Sequence, residues 1–360
     1  MDDIRPSNNQ IYKELIKKVA EEFLPRRTPL TELQYGPLEI NCFSTCFWMN
    51  VSDGEGQSGV YVKIPKIILY NKKNEQIMPL SDNDRRLGED EYRSLVHLSR
   101  YWPSDDGDVR FVKPLGFLKD YNAIITERVY AEHFFKLLRR CDQRRTFLQK
   151  SDSAHLVMSR LGRALSKFHQ TSLKECKWDV ESIVRKMASC CSQLASFGVE
   201  SAFVDMIVSR LETLQNLSIR THCTNTLKGF DVRQVFIDGN GVIFLLDPGK
   251  MKTDYIEMDL ARFIVTCRIL YWGSMQFFLR KSPDSSYEES FLRSYYGDSV
   301  RQDKVICLLT IKELLKHWRM AYTVLRAKRW PRVVKEFLRR TYVDPFYKWQ
   351  INTELADLGS

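Results

Sequence analysis

The feature that most limits this chain is a change of hydrophobic period near Glu127. Before it, apolar residues alternate in short runs, the signature of half-buried strands. Residues 33–40 and 45–51 read as a strand pair joined through Asn41-Cys42-Phe43-Ser44. A polar, glycine-containing turn over residues 52–59 follows, then a third strand over 60–64. Tyr92, Leu95, Val96 and Leu98 share one helical stripe, which predicts a helix over 90–101 ended by Pro103. Residues 111–118 and 123–126 read as two more strands. After Glu127 the spacing turns helical, over 155–169, 180–217 and from Met258 onward. A short hairpin over 235–247, turning at Gly239-Asn240-Gly241, interrupts the helices. The pattern is a small sheet with one helix, then a larger helical part holding a hairpin: an α+β chain.

At 360 residues, 44% of them apolar, the chain is long enough for two cores. No apolar run approaches the roughly 20 residues of a membrane span. Met1-Asp2-Asp3-Ile4-Arg5 is acidic and unlike a secretory signal, so a cytoplasmic location is expected. The nine cysteines (Cys42, Cys46, Cys141, Cys176, Cys190, Cys191, Cys223, Cys267 and Cys307) are scattered and form no C-x-x-C pair. They are expected to be reduced, mostly buried thiols rather than a disulfide framework or a metal site. The net charge is +10, and residues 312–348 carry eleven Lys or Arg against Glu313, Glu336 and Asp344. Such a segment fits an anionic membrane surface at the inner leaflet, a protein partner, or simply a solvated helix face. Nucleic acid is disfavoured, because no basic-aromatic alternation of a known module is present.

Chemistry concentrates around the hairpin. Leu245-Leu246-Asp247-Pro248-Gly249 places one carboxylate at a strand end before a permissive glycine, which suits a divalent metal on a phosphate chain. Gln234 lies thirteen residues upstream. Lys63 sits in the strand Val60-Tyr61-Val62-Lys63, and Glu91 on the helix that follows, with Glu89 as its rival. Glu127-Arg128-Val129 follows an apolar strand. Each has an ordinary reading too: an edge-strand lysine, a helix-start carboxylate, an Asp-Pro-Gly turn.

Together these residues resemble the aminoglycoside phosphotransferase and choline kinase branch of the protein-kinase-like fold, over residues 33–272. The resemblance implies a two-lobe fold with a small antiparallel sheet plus helix as N-lobe and a larger helical C-lobe. Its boundaries are an N-terminal helical extension over 1–30, an N-lobe over 31–127, and a C-lobe over 128–360 with basic C-terminal helices. It implies ATP and Mg²⁺ as cofactors. Lys63 would hold phosphates and Glu91 would orient it; Glu127 and Val129 would meet the base through backbone groups; Asp247 and Gln234 would hold the metal. Asp259 of Met258-Asp259-Leu260-Ala261 would buttress the catalytic loop, and His169 would be structural. Two departures stand out. Asn41-Cys42-Phe43-Ser44-Thr45 replaces a glycine-rich phosphate loop. Gly229 occupies the place of the catalytic aspartate, and Leu227 that of its leading histidine, which leaves Asp231 as the nearest carboxylate and the candidate base.

Three readings stay open: a kinase acting on a hydroxyl of a small molecule or saccharide, a nucleotide-binding pseudokinase with a regulatory or scaffold role, and, trailing, an anionic-surface or nucleic-acid binder suggested by charge alone. Without a base, phosphoryl transfer slows, since general-base help is worth about 10²–10⁴ in rate, but nucleotide binding need not be lost.

Overall fold

The structure is a computed structural model and describes residues 8–24, 33–40, 44–53, 56–66, 81–103, 108–143, 152–212, 220–272, 285–299, 301, 303–328 and 330–359. The first elements are α1 (Asn8–Phe23), β1 (Leu33–Tyr35), β2 (Glu39–Ile40), β3 (Ser44–Asp53), β4 (Gly56–Pro65) and α2 (Asp82–Tyr101). Next come β5 (Val109–Phe111), β6 (Pro114–Leu118), β7 (Ala123–Glu127), β8 (Glu132–His133), α3 (Phe134–Gln143), α4 (Asp152–Gln170) and β9 (Lys174–Lys177). Then α5 (Val180–Ser196), α6 (Ser201–Glu212), β10 (Arg220–Leu227), β11 (Val235–Ile237), β12 (Ile243–Leu245), β13 (Met251–Tyr255) and α7 (Glu257–Trp272) follow. The last are α8 (Ser285–Tyr296), α9 (Asp303–Ala327), α10 (Arg332–Leu338) and α11 (Asp344–Gly359).

The chain divides into two compact units. The first is Met1–Phe134 with Leu227–Gly229 and Gln234–Met251; the second is Phe135–Thr226 with Phe230–Arg233 and Lys252–Ser360. In the first, a mainly antiparallel sheet runs in the order β1-β3-β4-β7-β6, with β2 beside β3. Side chains alternate across a strand. One face therefore carries Phe47, Met49, Val60, Val62 and Ile64, all buried against Ile11, Leu15, Ile16 and Val19 of α1. The segment expected as a terminal extension thus supplies core, each buried aliphatic side chain contributing about 1.5–3 kcal/mol. The opposite face carries the cross-strand pairs Cys46–Lys63 and Trp48–Tyr61.

Three expected boundaries move. β3 and β4 run on to Asp53 and Gly56, so the polar stretch over 52–59 is mostly hairpin strand rather than turn. α2 begins eight residues before the expected start, at a capping box in which the Ser81 hydroxyl accepts the Asp84 N–H (3.2 Å) and the Asp84 carboxylate accepts the Ser81 N–H (3.0 Å). The long helix over 180–217 breaks after Ser196, where Gly198 takes a left-handed φ of 92°; residues 213–217 lie outside the described part.

In the second unit, α5, α6, α7, α9 and α11 enclose a core around the fully buried Trp318. Arg268 is held there between Glu288 (2.8 Å) and Glu354 (2.5 Å). A small sheet in the order β13-β10-β9 was not expected. It carries a correction to the cysteine reading: Cys176 on β9 and Cys223 on β10 form a disulfide, their Cα atoms 5.7 Å apart. The two stand 47 residues apart in sequence and meet only because the antiparallel register brings Cys176 opposite Thr221 and Lys174 opposite Cys223. Cys46, Cys191 and Cys267 are buried free thiols, as expected. Among the described residues, no helix is long and apolar enough to cross a membrane.

Candidate functional site

The first unit brings Lys63, Glu91 and Asp247 together. The Lys63 ammonium on β4 donates to Glu91 Oε1 of α2 at 2.6 Å and to Asp247 Oδ2 at 2.5 Å. Glu91 is therefore the partner, and its rival Glu89 pairs outward with Arg93 at 3.4 Å. The Asp247 carboxylate is aimed by its own turn. Gly249 adopts a left-handed φ of 59°, and its N–H donates to Asp247 Oδ1 at 2.9 Å. Just before it, the Leu246 N–H donates to the Gln234 carbonyl at 3.0 Å, so Gln234 starts the hairpin that ends at Asp247.

Two further contacts fix this segment to α2. Lys250 pairs with Asp90 at 2.8 Å, and the Met251 N–H donates to the Ser94 hydroxyl at 3.1 Å. Asp90, Glu91 and Ser94 stand one, three and four residues apart, so one helix face carries all three. Sequence reasoning missed Asp90 and Ser94; that spacing around Glu91 was the available signal. It also missed Tyr61, which shares Lys63's face by the two-residue period of the strand.

The electrostatics follow from burial. Burial acts to lower the Lys63 ammonium, but the charges of Asp247 and Glu91 outweigh it and raise it above the usual lysine range. Burial acts to raise the Asp247 carboxyl, but the Lys63 charge and the Gly249 N–H hold it below its ordinary value. Glu91 goes the other way: burial and the Asp247 charge push it up to about 7 against the pull of Lys63. The cluster thus keeps Asp247 ionised and lets Glu91 take the proton first.

Gly229 is packed rather than vacant. Its N–H donates to the Pro248 carbonyl at 2.8 Å. A Cβ placed on it would meet Asp247 O at 2.2 Å, the Pro248 carbonyl carbon at 2.7 Å and Gly249 N at 2.8 Å, all backbone atoms. No side chain fits there without displacing the Asp247 turn.

Asp231 belongs to the second unit and is buried. Its oxygens accept the Arg233 N–H (2.7 Å), Arg233 Nε (3.0 and 3.2 Å) and Arg233 Nη2 (2.6 Å). In the same unit His169 is structural: its ring contacts Tyr295 Oη at 2.7 Å and Asp259 Oδ2 at 3.2 Å, while Asp259 Oδ1 accepts from Arg262 at 3.0 Å.

At the end of β7 the Glu127 N–H donates to Lys113 O at 2.9 Å, its carboxylate accepts the Lys113 N–H at 2.8 Å, and the Arg128 N–H donates to Gly59 O at 2.9 Å. Val129 is half-buried in the segment leaving the sheet. The Arg128 guanidinium lies 3.7 Å from the centre of the Trp48 ring. Asn41, Cys42 and Phe43, the replacement for a glycine-rich loop, lie outside the described residues.

Solved structures of similar fold are known over nearly the whole chain. The choline kinase LicA from Streptococcus pneumoniae matches over 96% of this chain and 99% of its own, with a TM-score of 0.53 and 14% identity. The fold is protein-kinase-like. A spectinomycin phosphotransferase solved with ADP and spectinomycin matches over 95% of this chain and 98% of its own, with a TM-score of 0.55 and 13% identity. A choline kinase from Cryptosporidium parvum matches over 96% and 97%, with a TM-score of 0.57 and 9% identity. No family model matches the chain, and no curated protein matches it by sequence. At these identities the likeness speaks for the α+β protein-kinase-like fold and for no particular substrate.

Proposed function

We propose that this chain is an ATP- and divalent-cation-dependent phosphotransferase acting on a hydroxyl of a small molecule or saccharide. The observation that carries this reading is the Lys63 ammonium bridging Glu91 and Asp247. A point charge fixed by two carboxylates suits a phosphate chain, and Tyr61 on the same face offers a flat ring to a base.

The donor set suits Mg²⁺. Asp247 and the Gln234 amide are hard oxygen ligands in one unit, and Asp247 is held ionised. Among the described residues no cluster of three or more His, Cys, Asp or Glu offers a rival metal site. Mg²⁺ bound there would neutralise charge on the transferring phosphoryl group. Lys63 would give up one of its two carboxylate contacts to hold phosphate oxygens, while Glu91 keeps the ammonium in register. Backbone groups at Glu127 and Val129 would meet the base.

Gly229 favours a second reading, a nucleotide-binding pseudokinase. The position of the usual base cannot hold a carboxylate, and Asp231 is occupied by Arg233. Transfer through a loose transition state draws mainly on positioning and electrostatics, so the first reading survives without a strong base. The test is stabilisation by ATP with Mg²⁺, followed by release of ADP over a panel of amino sugars, aminoglycosides and choline-like alcohols. ADP release that depends on one acceptor and disappears in Asp247→Asn supports transfer. Stabilisation without acceptor-dependent ADP release selects the pseudokinase. No stabilisation in the wild type rejects both. If transfer occurs, Asp231→Asn lowers turnover at unchanged nucleotide affinity; unaltered turnover removes Asp231 as the base.

A further inference from the structure

In the second unit, α10 presents its apolar side chains outward. Val333 is 79% exposed, Phe337 59% and Val334 42%, and Trp330 just ahead of the helix is 47% exposed. Val333 and Phe337 stand four apart and share one side of the helix, with Val334 beside them. Residues at such spacing normally bury their stripe.

The ground around them is cationic. Residues 328–340 contain six Lys or Arg and one Glu, a net charge of +5. The one acid, Glu336, is already engaged by Arg339 (2.9 Å) and Arg340 (2.6 Å). Lys328, Arg332 and Arg340 are exposed. Lys328 lies 5.9 Å from the centre of the Trp330 ring.

We infer that this patch docks the protein on an anionic lipid surface, with Val333, Phe337 and Trp330 entering the headgroup boundary and Lys328 and Arg332 meeting lipid phosphates and carboxylates. Charge complementarity combined with protruding apolar groups selects this partner. A second copy of the chain would set +5 against +5. A nucleic acid would satisfy the cations but offers little to an aliphatic Val333 or to Phe337. An anionic membrane satisfies both sets: juxtamembrane Lys and Arg are attracted to acidic headgroups, and Trp prefers the interface. No described helix spans a bilayer, so the contact is peripheral. This inference is independent of the phosphotransferase reading.

The test is co-sedimentation of the full chain with phosphatidylcholine vesicles, with and without phosphatidylserine. The wild type should pellet with the anionic vesicles only, and less as salt rises. Val333→Ser with Phe337→Ser keeps the charge and should weaken partition by about tenfold or more. Lys328→Glu with Arg332→Glu should abolish it. All four residues are exposed, so thermal melting should not change. No pelleting, equal pelleting with neutral vesicles, or undiminished pelleting of the Val333/Phe337 variant overturns the proposal. So does a concentration-dependent dimer, or binding to single-stranded DNA, that is lost in that variant while vesicle binding persists.

Discussion

Gly229→Ala is the most exacting perturbation this structure offers. The added Cβ would lie 2.2 Å from Asp247 O, 2.7 Å from the Pro248 carbonyl carbon and 2.8 Å from Gly249 N. None of these atoms ends a flexible side chain, so relief requires the two backbone segments to part. Overpacking of this kind costs typically 1–3 kcal/mol. Parting them also breaks the 2.8 Å bond from the Gly229 N–H to Pro248 O, worth about 1 kcal/mol. The expected loss is therefore about 2–4 kcal/mol in urea unfolding. The binding consequence is more specific. Displacing Pro248 and Gly249 disturbs the N–H that aims Asp247 Oδ1, so the ATP and Mg²⁺ thermal shift should fall with stability. Gly229→Asp, which supplies the carboxylate that the proposed reading lacks there, should behave no better and gain no transfer activity. A Gly229→Ala protein as stable as wild type, with its nucleotide shift intact, would refute the packing argument. A Gly229→Asp protein with raised turnover would refute the claim that the slot is closed.

Other expected outcomes follow from the same geometry. Saturating ATP with Mg²⁺ at about 100 times its Kd should stabilise the fold by about 2.7 kcal/mol, and Asp247→Ala should remove that shift in differential scanning fluorimetry. His317 is pushed down to about 4, first by burial and then by the neighbouring Lys316 and Arg233 charges. The unfolded chain takes up that proton near pH 6.5 and the folded chain does not until about pH 4, so stability falls as pH drops through this window. His317→Gln should flatten that part of the urea-midpoint profile by up to about 3 kcal/mol, read as the difference from wild type. Cys176→Ser, or reduction with dithiothreitol, should cost up to about 4 kcal/mol, the chain-entropy value for a loop of this length; an unchanged urea midpoint would count against a formed disulfide.

How much was readable in the sequence depended on whether a residue advertised its surroundings. Lys63 and Asp247 did, because Lys63 lies within an apolar strand and Asp247 just after one, and the apolar partners dictate their directions. Their contact at 2.5 Å joins positions 184 apart in sequence. The sheet of β9, β10 and β13 did not. β9 is Lys174-Glu175-Cys176-Lys177, mostly exposed and without apolar alternation. β10 buries Thr221, Thr224 and Thr226, whose hydroxyls are satisfied by specific acceptors. Thr224 donates to His169 O at 2.7 Å and Thr226 to Lys252 O at 3.1 Å. Hydropathy cannot find a strand whose buried side chains are mostly threonines, and without that strand the Cys176–Cys223 pair has no register. The early start of α2 escaped for a related reason. Its first two turns are Asp82, Asn83, Asp84, Arg85, Arg86 and Gly88, with Leu87 alone apolar.

Gly229 is the instructive case, because the sequence states what is missing and the structure states what took its place. Had the aspartate been lost from an otherwise unchanged loop, a space the size of a side chain would remain beside Asp247, and a single substitution would refill it. Instead the Gly229 backbone lies against the Asp247-Pro248-Gly249 backbone, and the Gly229 N–H bonds to Pro248 O. Pro248 has no N–H to donate, so its carbonyl is the only backbone polar group it can use for such a tie. Glycine at 229 is what allows the approach, and the approach helps to hold the turn that aims Asp247. The close-packed glycine and the well-held Asp247 carboxylate are then parts of one arrangement. An aspartate placed at 229 would disturb the turn that aims Asp247. On the proposed phosphotransferase reading, Lys63 and Asp247 would supply the electrostatics, and position 229 would supply no side-chain base. On that reading, turnover should depend more on Lys63 and Asp247 than on Asp231, so Lys63→Ala and Asp247→Asn should cost more activity than Asp231→Asn.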